Sequence, residues 1–469
     1  MYTEKIKHYL GFEPTSDQNT LIENLSQFLI SQECDVCIIN GYAGTGKTSV
    51  MSSLVKCFDD YEHNYVLLAP TGRAAKVLSN YSGRKAQTIH RKIYKMVVDK
   101  SGGARFALQK NTHFDTVFII DEASMLSDKS NEGGFEISGS GVFNDLLEYV
   151  FSSKRCKLIL VGDNAQLPPV KLDYSPALDI DYVKSSVHTG VILCSLKDVV
   201  RQSLDSGILY NATLIRKNLI TGEDLILDVA DYPDIIWLTG ADLEDKLNYV
   251  YSNYGAENTL IVCRSNKRAN IYNREIRNRI LYRESELAAG DMMMVVKNNY
   301  FWLDEKSDAG FIANGDALEI LRVKKYEDLY GFHFADATVR LLDYPEQAPL
   351  EVKLLLDTVT QETPSLPYED NKRLFNTVLE DYQDETSWKK KMEKMRTNPY
   401  LNSLQVKFSY AVTCHKAQGG QWEQVFIDHG YLTEEMIGPD FYRWLYTAIT
   451  RATDKVYLVN FDKRFALEK

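Results

Sequence analysis

The sequence predicts an α/β protein with two parallel sheets and a smaller inserted barrel, and three observations lead there. Through the first third, short apolar β runs alternate with helix-compatible segments, the pattern of a parallel sheet covered on both faces. A second alternation of the same kind starts near residue 191. It is interrupted over roughly 291–402, where ALEILRV and GFHFADATVRLLD alternate like antiparallel strands of a small barrel.

The expected strands of the first unit are VCIIN (36–40), NYVLLAP (64–70), TVFIIDE (116–122) and KLILVGD (157–163). Each ends where a polar or glycine-containing motif begins, and ligands of open α/β sheets bind at the carboxyl ends of strands. Residues 127–141 (SDKSNEGGFEISGSG) read as a surface loop. The second unit runs from VILCSL through DIIWL (234–238), a helix around 242–254, TLIVC (259–263) and a helix from 266. It resumes after the insert at QVKFSYAVT, QVFIDHG and KVYLVNF. Within the insert, 368–396 is charged and helix-compatible, a projecting helical pair. At 469 residues the chain exceeds one core, and about three domains are expected.

Hydrophobic content of 44% and charged content of 25% are those of a soluble globular protein. No apolar run approaches the roughly 18 residues of a membrane span. The start, MYTEKIKHYLGFEP, lacks the apolar centre of a signal peptide, so a cytoplasmic protein is expected. Seven scattered cysteines give no disulfide framework, and Cys34-x-x-Cys37 without a second pair reads as two reduced core thiols. The eight histidines show no metal-ligand spacing. A net charge of −11 excludes a uniformly basic nucleic-acid coat. It does not exclude a narrow basic channel, because phosphate attraction is screened beyond about 8–10 Å.

The chemistry begins at Gly41-Tyr42-Ala43-Gly44-Thr45-Gly46-Lys47-Thr48, with Ser49 opening the following segment. A strand precedes this loop and a helix follows, the context in which backbone N–H groups wrap a triphosphate. Lys47 is suited to the β- and γ-phosphates, and Thr48 to Mg²⁺. Asp121-Glu122 closes the strand VFII, where Asp121 can hold the metal and Glu122 can orient the attacking water. Gln166, in GDNAQLPPV at the end of the next strand, can hydrogen-bond a γ-phosphate and sense its loss. Arg201 in LKDVVRQ and Arg451 in YTAITRA are candidate transition-state arginines from the second α/β unit, a role worth about 10³–10⁵ in rate.

FEPTSDQ, GYAGTGKT, APTGRAAKVL, TIHR, DEAS, GDNAQLPPV, VVRQ, YAVTCHKAQGGQW and YTAITRA occur in the order found in superfamily 1 helicases. The chain most resembles the RecD-like and phage Dda-like branch of superfamily 1B, with Pif1-type enzymes more distant. The match spans about 12–170, 190–280 and 403–460 and is weak across the insert. The resemblance implies two RecA-like P-loop motor domains, 1–86 with 114–175 and 176–290 with 403–469. It implies a small pin module over 87–113 and an SH3-like barrel with helical insert over 291–402.

Carried over, Gln18 reads adenine, while Gly41, Ala43, Gly44, Thr45, Gly46, Lys47, Thr48 and Ser49 hold nucleotide. Gly419 and Gln421 border the nucleotide from the second domain. Pro70, Thr71, Thr88, His90, Thr413 and His415 fall in strand-contacting motifs. Phe106, past a glycine turn in the pin region, is a candidate for holding open the first base pair, with a core position as the bland alternative. Val200 stands where relatives often carry an adenine-stacking aromatic. The implied activity is that of a monomeric Mg²⁺/ATP-dependent helicase moving 5′→3′ on single-stranded DNA and opening forked duplexes. Single-strand-binding or repair proteins are candidate partners, in DNA repair or recombination. An ATP-gated single-strand clamp and an RNA-directed motor stay open on the residues alone.

Overall fold

The structure is a computed structural model describing residues 2–98, 104–129, 141–199, 205–303, 307 and 310–466. Its first sheet has six parallel strands in the order Gln87–Thr88, Asn64–Ala69, Thr116–Ile120, Lys157–Gly162, Cys34–Gly41, Gly190–Leu196. Side chains alternate across it, which gives two cores. Cys37, Ile39, Ile119 and Ile159 pack under the helices Ser16–Ile30 and Lys47–Asp60. Val36, Ile38, Phe118 and Leu158 pack on the other face with the helix Val142–Phe151. Burial on both faces is why these strands read as unbroken apolar runs.

The second sheet has five parallel strands, Ala411–Thr413, Thr259–Cys263, Trp422–Asp428, Ala452–Val459 and Ile235–Leu238. Strands Met292–Val295, Ala317–Leu329, Phe332–Leu341, Leu350–Leu355 and Leu404–Phe408 close into the barrel. One hydrophobic cluster joins Ile261 and Phe426 of the second sheet to Met293, Leu318 and Val339 of the barrel, so sheet and barrel share a core. The antiparallel strands Tyr94–Val98 and Ala104–Leu108 form a separate hairpin within the first unit.

Two strand placements differ from the sequence reading. VILCSL, expected to open the second unit, extends the first sheet, with Ile38 opposite Leu193 beside the glycine-loop strand. The first unit therefore runs beyond residue 175. Parallel edge strands carry no local mark of the sheet they join, because the crossover and not a hairpin turn sets their partner. QVKFSYAVT is likewise two strands. Leu404–Phe408 closes the barrel against Met293–Val295, and the chain turns at Tyr410, whose hydroxyl meets Asp291 and Arg283, before Ala411–Thr413 enters the sheet.

The helical pair exists as Tyr368–Glu380 and Trp388–Arg396. Leu374, Val378 and Met395 pack on Phe332, Phe334 and Leu355, bracing the pair on the barrel. All seven cysteines are free thiols, Cys37 buried and Cys34 partly exposed. Among the described residues no helix is long and apolar enough to cross a membrane. Val200, Arg201 and residues 130–140 of the glycine- and serine-rich loop lie outside the described residues.

Candidate functional site

The glycine loop turns on two left-handed residues, Gly44 (φ +74°) and Gly46 (φ +82°), conformations that cost other residues roughly 1–2 kcal/mol. At Gly41 the need is close approach, because a Cβ would sit 2.7 Å from Lys47 Cγ. Lys47 opens the helix Lys47–Asp60. Its ammonium donates to the Tyr42 carbonyl at 2.9 Å and to the Gly41 carbonyl. Thr48 is exposed at this helix N-terminus, where free N–H groups and the helix dipole favour an anion.

Gln18 lies behind the loop and is fully buried. Its amide nitrogen donates to the Thr45 carbonyl at 3.0 Å, and its oxygen accepts the Thr15 N–H at 3.0 Å. With each end of the amide engaged once, Gln18 braces the loop in this arrangement. The T-x-x-Q pattern of a capping box carried that information in the sequence.

Asp121 and Glu122 follow the strand Thr116–Ile120. The Asp121 carboxylate accepts the Tyr81 hydroxyl at 2.8 Å and the Glu122 N–H at 2.9 Å. Burial raises its carboxyl above the usual range against the pull of these donors and Lys47. Glu122 sits at φ +52°, a strained setting for a residue other than glycine. Burial raises its carboxyl too, opposed chiefly by Arg451. A carboxylate lifted toward neutrality is the better proton acceptor.

Arg451 reaches this pair from the other sheet. It is 4% exposed, follows the helix Pro439–Ile449, and places Nη1 3.9 Å from Glu122 Oε1. Its fork is set by the Thr447 carbonyl at 3.0 Å, the Gly420 carbonyl at 3.3 Å and the Thr450 hydroxyl at 3.2 Å. A strand–loop–helix cradle, an acidic pair and an arginine from an opposing lobe thus meet at one cleft, an arrangement suited to phosphoryl transfer.

Comparison with known proteins gives matches over both lobes. Residues 15–224 match the AAA domain family, and residues 408–459 match the UvrD-like helicase C-terminal domain. The chain is 30% identical over 169 residues to the ATP-dependent DNA helicase dda of Enterobacteria phage T4, covering 35% of this chain and 34% of that one. It is 31% identical over 133 residues to the ATP-dependent RecD2 DNA helicase of Deinococcus radiodurans, covering 28% of this chain and 16% of that one. Two family models and two ATP-dependent DNA helicases are thus what the chain is similar to, each over part of its length.

An uncharacterised protein of Acanthamoeba polyphaga mimivirus is 22% identical over 94% of this chain and 98% of its own. The solved Pif1 helicase from Bacteroides, in complex with ADP-AlF3 and ssDNA, aligns with 98% of this chain and 95% of its own at 15% identity and a TM-score of 0.49.

Gln166 stands on the turn after the strand Lys157–Gly162, 6% exposed, with a carboxamide oxygen that has no hydrogen-bond partner. Its turn is gripped from the second lobe: Thr447 accepts the Leu167 N–H and Gln418 donates to the Leu167 carbonyl, both at 2.8 Å. Arg443, Tyr446 and Thr447, at i, i+3 and i+4 on one helix face, were missed as site residues. Their spacing in YRWLYTAITR was the available signal. Arg216 of the second lobe also stacks on Tyr42 at 4.1 Å.

The strand-motif residues are split between capping and inter-lobe positions. Thr71 caps the helix Gly72–Ser82, and Thr88 caps Ile89–Ile93. Pro70 directly precedes Thr71, and Thr413 precedes the short helix Cys414–Ala417. Burial lowers His90 to about 4, keeping it neutral, and lowers His415, whose ring hydrogen-bonds the Pro168 backbone. Gly419 (φ +73°), expected beside the nucleotide, lies against the first lobe, where a Cβ would be 2.8 Å from Ala74 Cβ and 3.5 Å from Thr71 Oγ1. Exposed Gln421 follows it, and Trp422 stacks under the Arg73 guanidinium at 3.8 Å. Phe106 lies in the hairpin opposite Met96; its side chain is outside the described residues.

Proposed function

We propose that this protein is a helicase that uses Mg²⁺ and ATP to walk 5′→3′ along single-stranded DNA and to open forked duplexes. The observation that carries the reading is Arg451 beside Glu122 across the two lobes, which makes hydrolysis depend on how the lobes meet. Lys47 and the N–H groups of residues 44–49 bind the phosphates, Glu122 accepts the proton of the attacking water, and Gln166 responds to the γ-phosphate. Arg451, with Arg201 as its companion, stabilises charge on the transferring group.

One carboxylate, Asp121, and one exposed hydroxyl, Thr48, fit a magnesium ion, which takes few protein ligands and completes its shell with phosphate oxygens and water. When bound, the ion neutralises phosphate charge.

Closure on ATP and reopening after hydrolysis would shift the lobes, and with them the loops of Thr71, Thr88, Thr413 and His415, along the strand. The hairpin of residues 94–108 would act as the pin, with Phe106 stacking at the fork. The domain division follows the sheets, residues 2–196 with the hairpin inserted and residues 205–466 with the barrel inserted. The reading includes a monomeric, cytoplasmic enzyme working with single-strand-binding or repair proteins. Its 5′→3′ direction rests on the resemblance of its motifs to the RecD-like and Dda-like branch.

A fork-unwinding assay on 5′- and 3′-tailed duplexes, beside a translocation assay, tests it. Unwinding restricted to 5′ tails is expected. Translocation without unwinding would make the protein an ATP-gated clamp. ATPase stimulation by poly(U) above poly(dT) would make it an RNA motor.

A further inference from the structure

Tyr446, on the helix that leads to Arg451, makes a contact that no nucleotide-binding role accounts for. It is 1% exposed. Its hydroxyl donates to Asp163 Oδ2 at 2.6 Å and accepts the Ala43 N–H at 2.8 Å. Asp163 in turn shapes the sensor turn: its Oδ1 accepts the Ala165 N–H at 2.9 Å, and its carbonyl accepts the Gln166 N–H at 3.3 Å. One buried hydroxyl of the second lobe thus joins the P-loop to the turn carrying Gln166. Ala165 and Leu167 of that turn are packed into the second lobe's own core, although the strand feeding the turn belongs to the first.

We propose that Tyr446 is a positioning residue for ATP hydrolysis, a hydroxyl relay that fixes Gln166 relative to the P-loop and transmits the movement of the second lobe to both. A phenol has one proton to give. Asp163, 1% exposed, takes it, so the oxygen is left to accept from the P-loop. Burial and the Asp163 charge hold the phenol in its protonated form. Removing the hydroxyl while keeping the ring leaves Asp163 Oδ2 without this donor and the Ala43 N–H without this acceptor. A lost hydrogen bond to a charged group of this kind changes an equilibrium by about 10- to 150-fold. The Arg216–Tyr42 stack ties the same loop to the same lobe without reaching the sensor turn, so it does not replace the relay.

The proposal rests on the ATP hydrolysis proposed above and, for lobe movement, on the motor reading. It is tested with Tyr446→Phe and Asp163→Asn in the full chain. Measured are kcat and KM for ATP, normalised to sites that bind a fluorescent ADP, and the affinity for a dT oligonucleotide with and without a non-hydrolysable ATP analogue. Expected are a kcat about tenfold or more below wild type, a KM within about threefold, and loss of the analogue's effect on strand affinity. The double variant should be no worse than the poorer single variant, because both break one relay. A Tyr446→Phe kcat within about twofold of wild type, or multiplicative losses in the double variant, would overturn the proposal. If Tyr446→Phe does not fold, Asp163→Asn decides alone by the same kcat criterion. Should the analogue leave wild-type strand affinity unchanged, the motor reading fails, while the kcat comparison still decides the relay.

Discussion

Arg451 and Glu122 face each other at 3.9 Å although 329 positions separate them (451 − 122) and they belong to different sheets. Arg451 carries 5% of its side-chain surface in solvent and Glu122 21%, so the pair is largely withdrawn from water. In that setting charge interactions exceed those of exposed pairs, and in the proposed mechanism the arginine would act on both the base and the transition state.

Replacing Arg451 with Ala should lower ATPase kcat by about 10³-fold or more. It should also move the acid limb of the pH–rate profile. Arg451 opposes the upward push of burial on Glu122; without it the carboxyl titrates at higher pH, and activity is lost at a higher pH on acidification. A kcat–pH profile of Arg451→Ala and Arg451→Lys reads both effects. Lys keeps the charge but not the fork held by Thr447, Gly420 and Thr450, so it should restore the limb more fully than the rate.

Lys47→Ala should abolish ATP turnover while single-strand binding persists, because Lys47 opens the P-loop helix and the strand-motif residues lie on other elements. Steady-state hydrolysis and an oligonucleotide anisotropy titration measure the two. Full turnover in this variant would remove the nucleotide site from the P-loop.

Phe106→Ala should impair fork opening more than ATP hydrolysis. Opening one base-pair step costs about 1.4 kcal/mol, and one aromatic stack offers about 1–3 kcal/mol, enough for a single side chain to matter. Equal loss of both activities, or of neither, would deny the hairpin its pin role.

Asp316 of the barrel is 0% exposed, and its Oδ1 has no hydrogen-bond partner. A Cβ on Gly72 of the first lobe would lie 2.3 Å from that atom. Burial, reinforced by Asp343, raises the Asp316 carboxyl well above its usual value. The folded state therefore holds this proton more tightly than the unfolded chain, whose Asp titrates near about 3.9. Its contribution to stability is present below that pH and is lost as pH rises through the folded pKa. Asp316→Asn should raise the urea midpoint at pH 7 and leave it unchanged near pH 4. An equal gain at both pH values would place the effect elsewhere.

Much of the fold was legible because it is local. The runs at 36–40, 64–70, 116–122 and 157–163 are apolar for the length of a buried strand, and Gly44 and Gly46 mark left-handed positions that a helix start after a strand demands. The barrel hairpin declared itself by alternation, with Ala335, Ala337 and Val339 facing inward. The helical pair declared itself by charge on one side and Leu374 and Val378 on the other. The motifs placed Lys47, Asp121, Glu122 and Arg451 as candidates before any contact was known.

By itself, then, the sequence determined the element types, the nucleotide loop and the residues able to do the chemistry, since periodicity, turn residues and motif spacing are written over short stretches of chain. Only the tertiary structure decided that VILCSL joins the first sheet, that Gln18 braces the P-loop, that Gly419 abuts Ala74, and that Tyr446 spans Ala43 and Asp163. Each of these depends on which distant surfaces pack together. Such packing is fixed by the summed burial of two cores and the satisfaction of buried polar groups across them, quantities that no single segment contains.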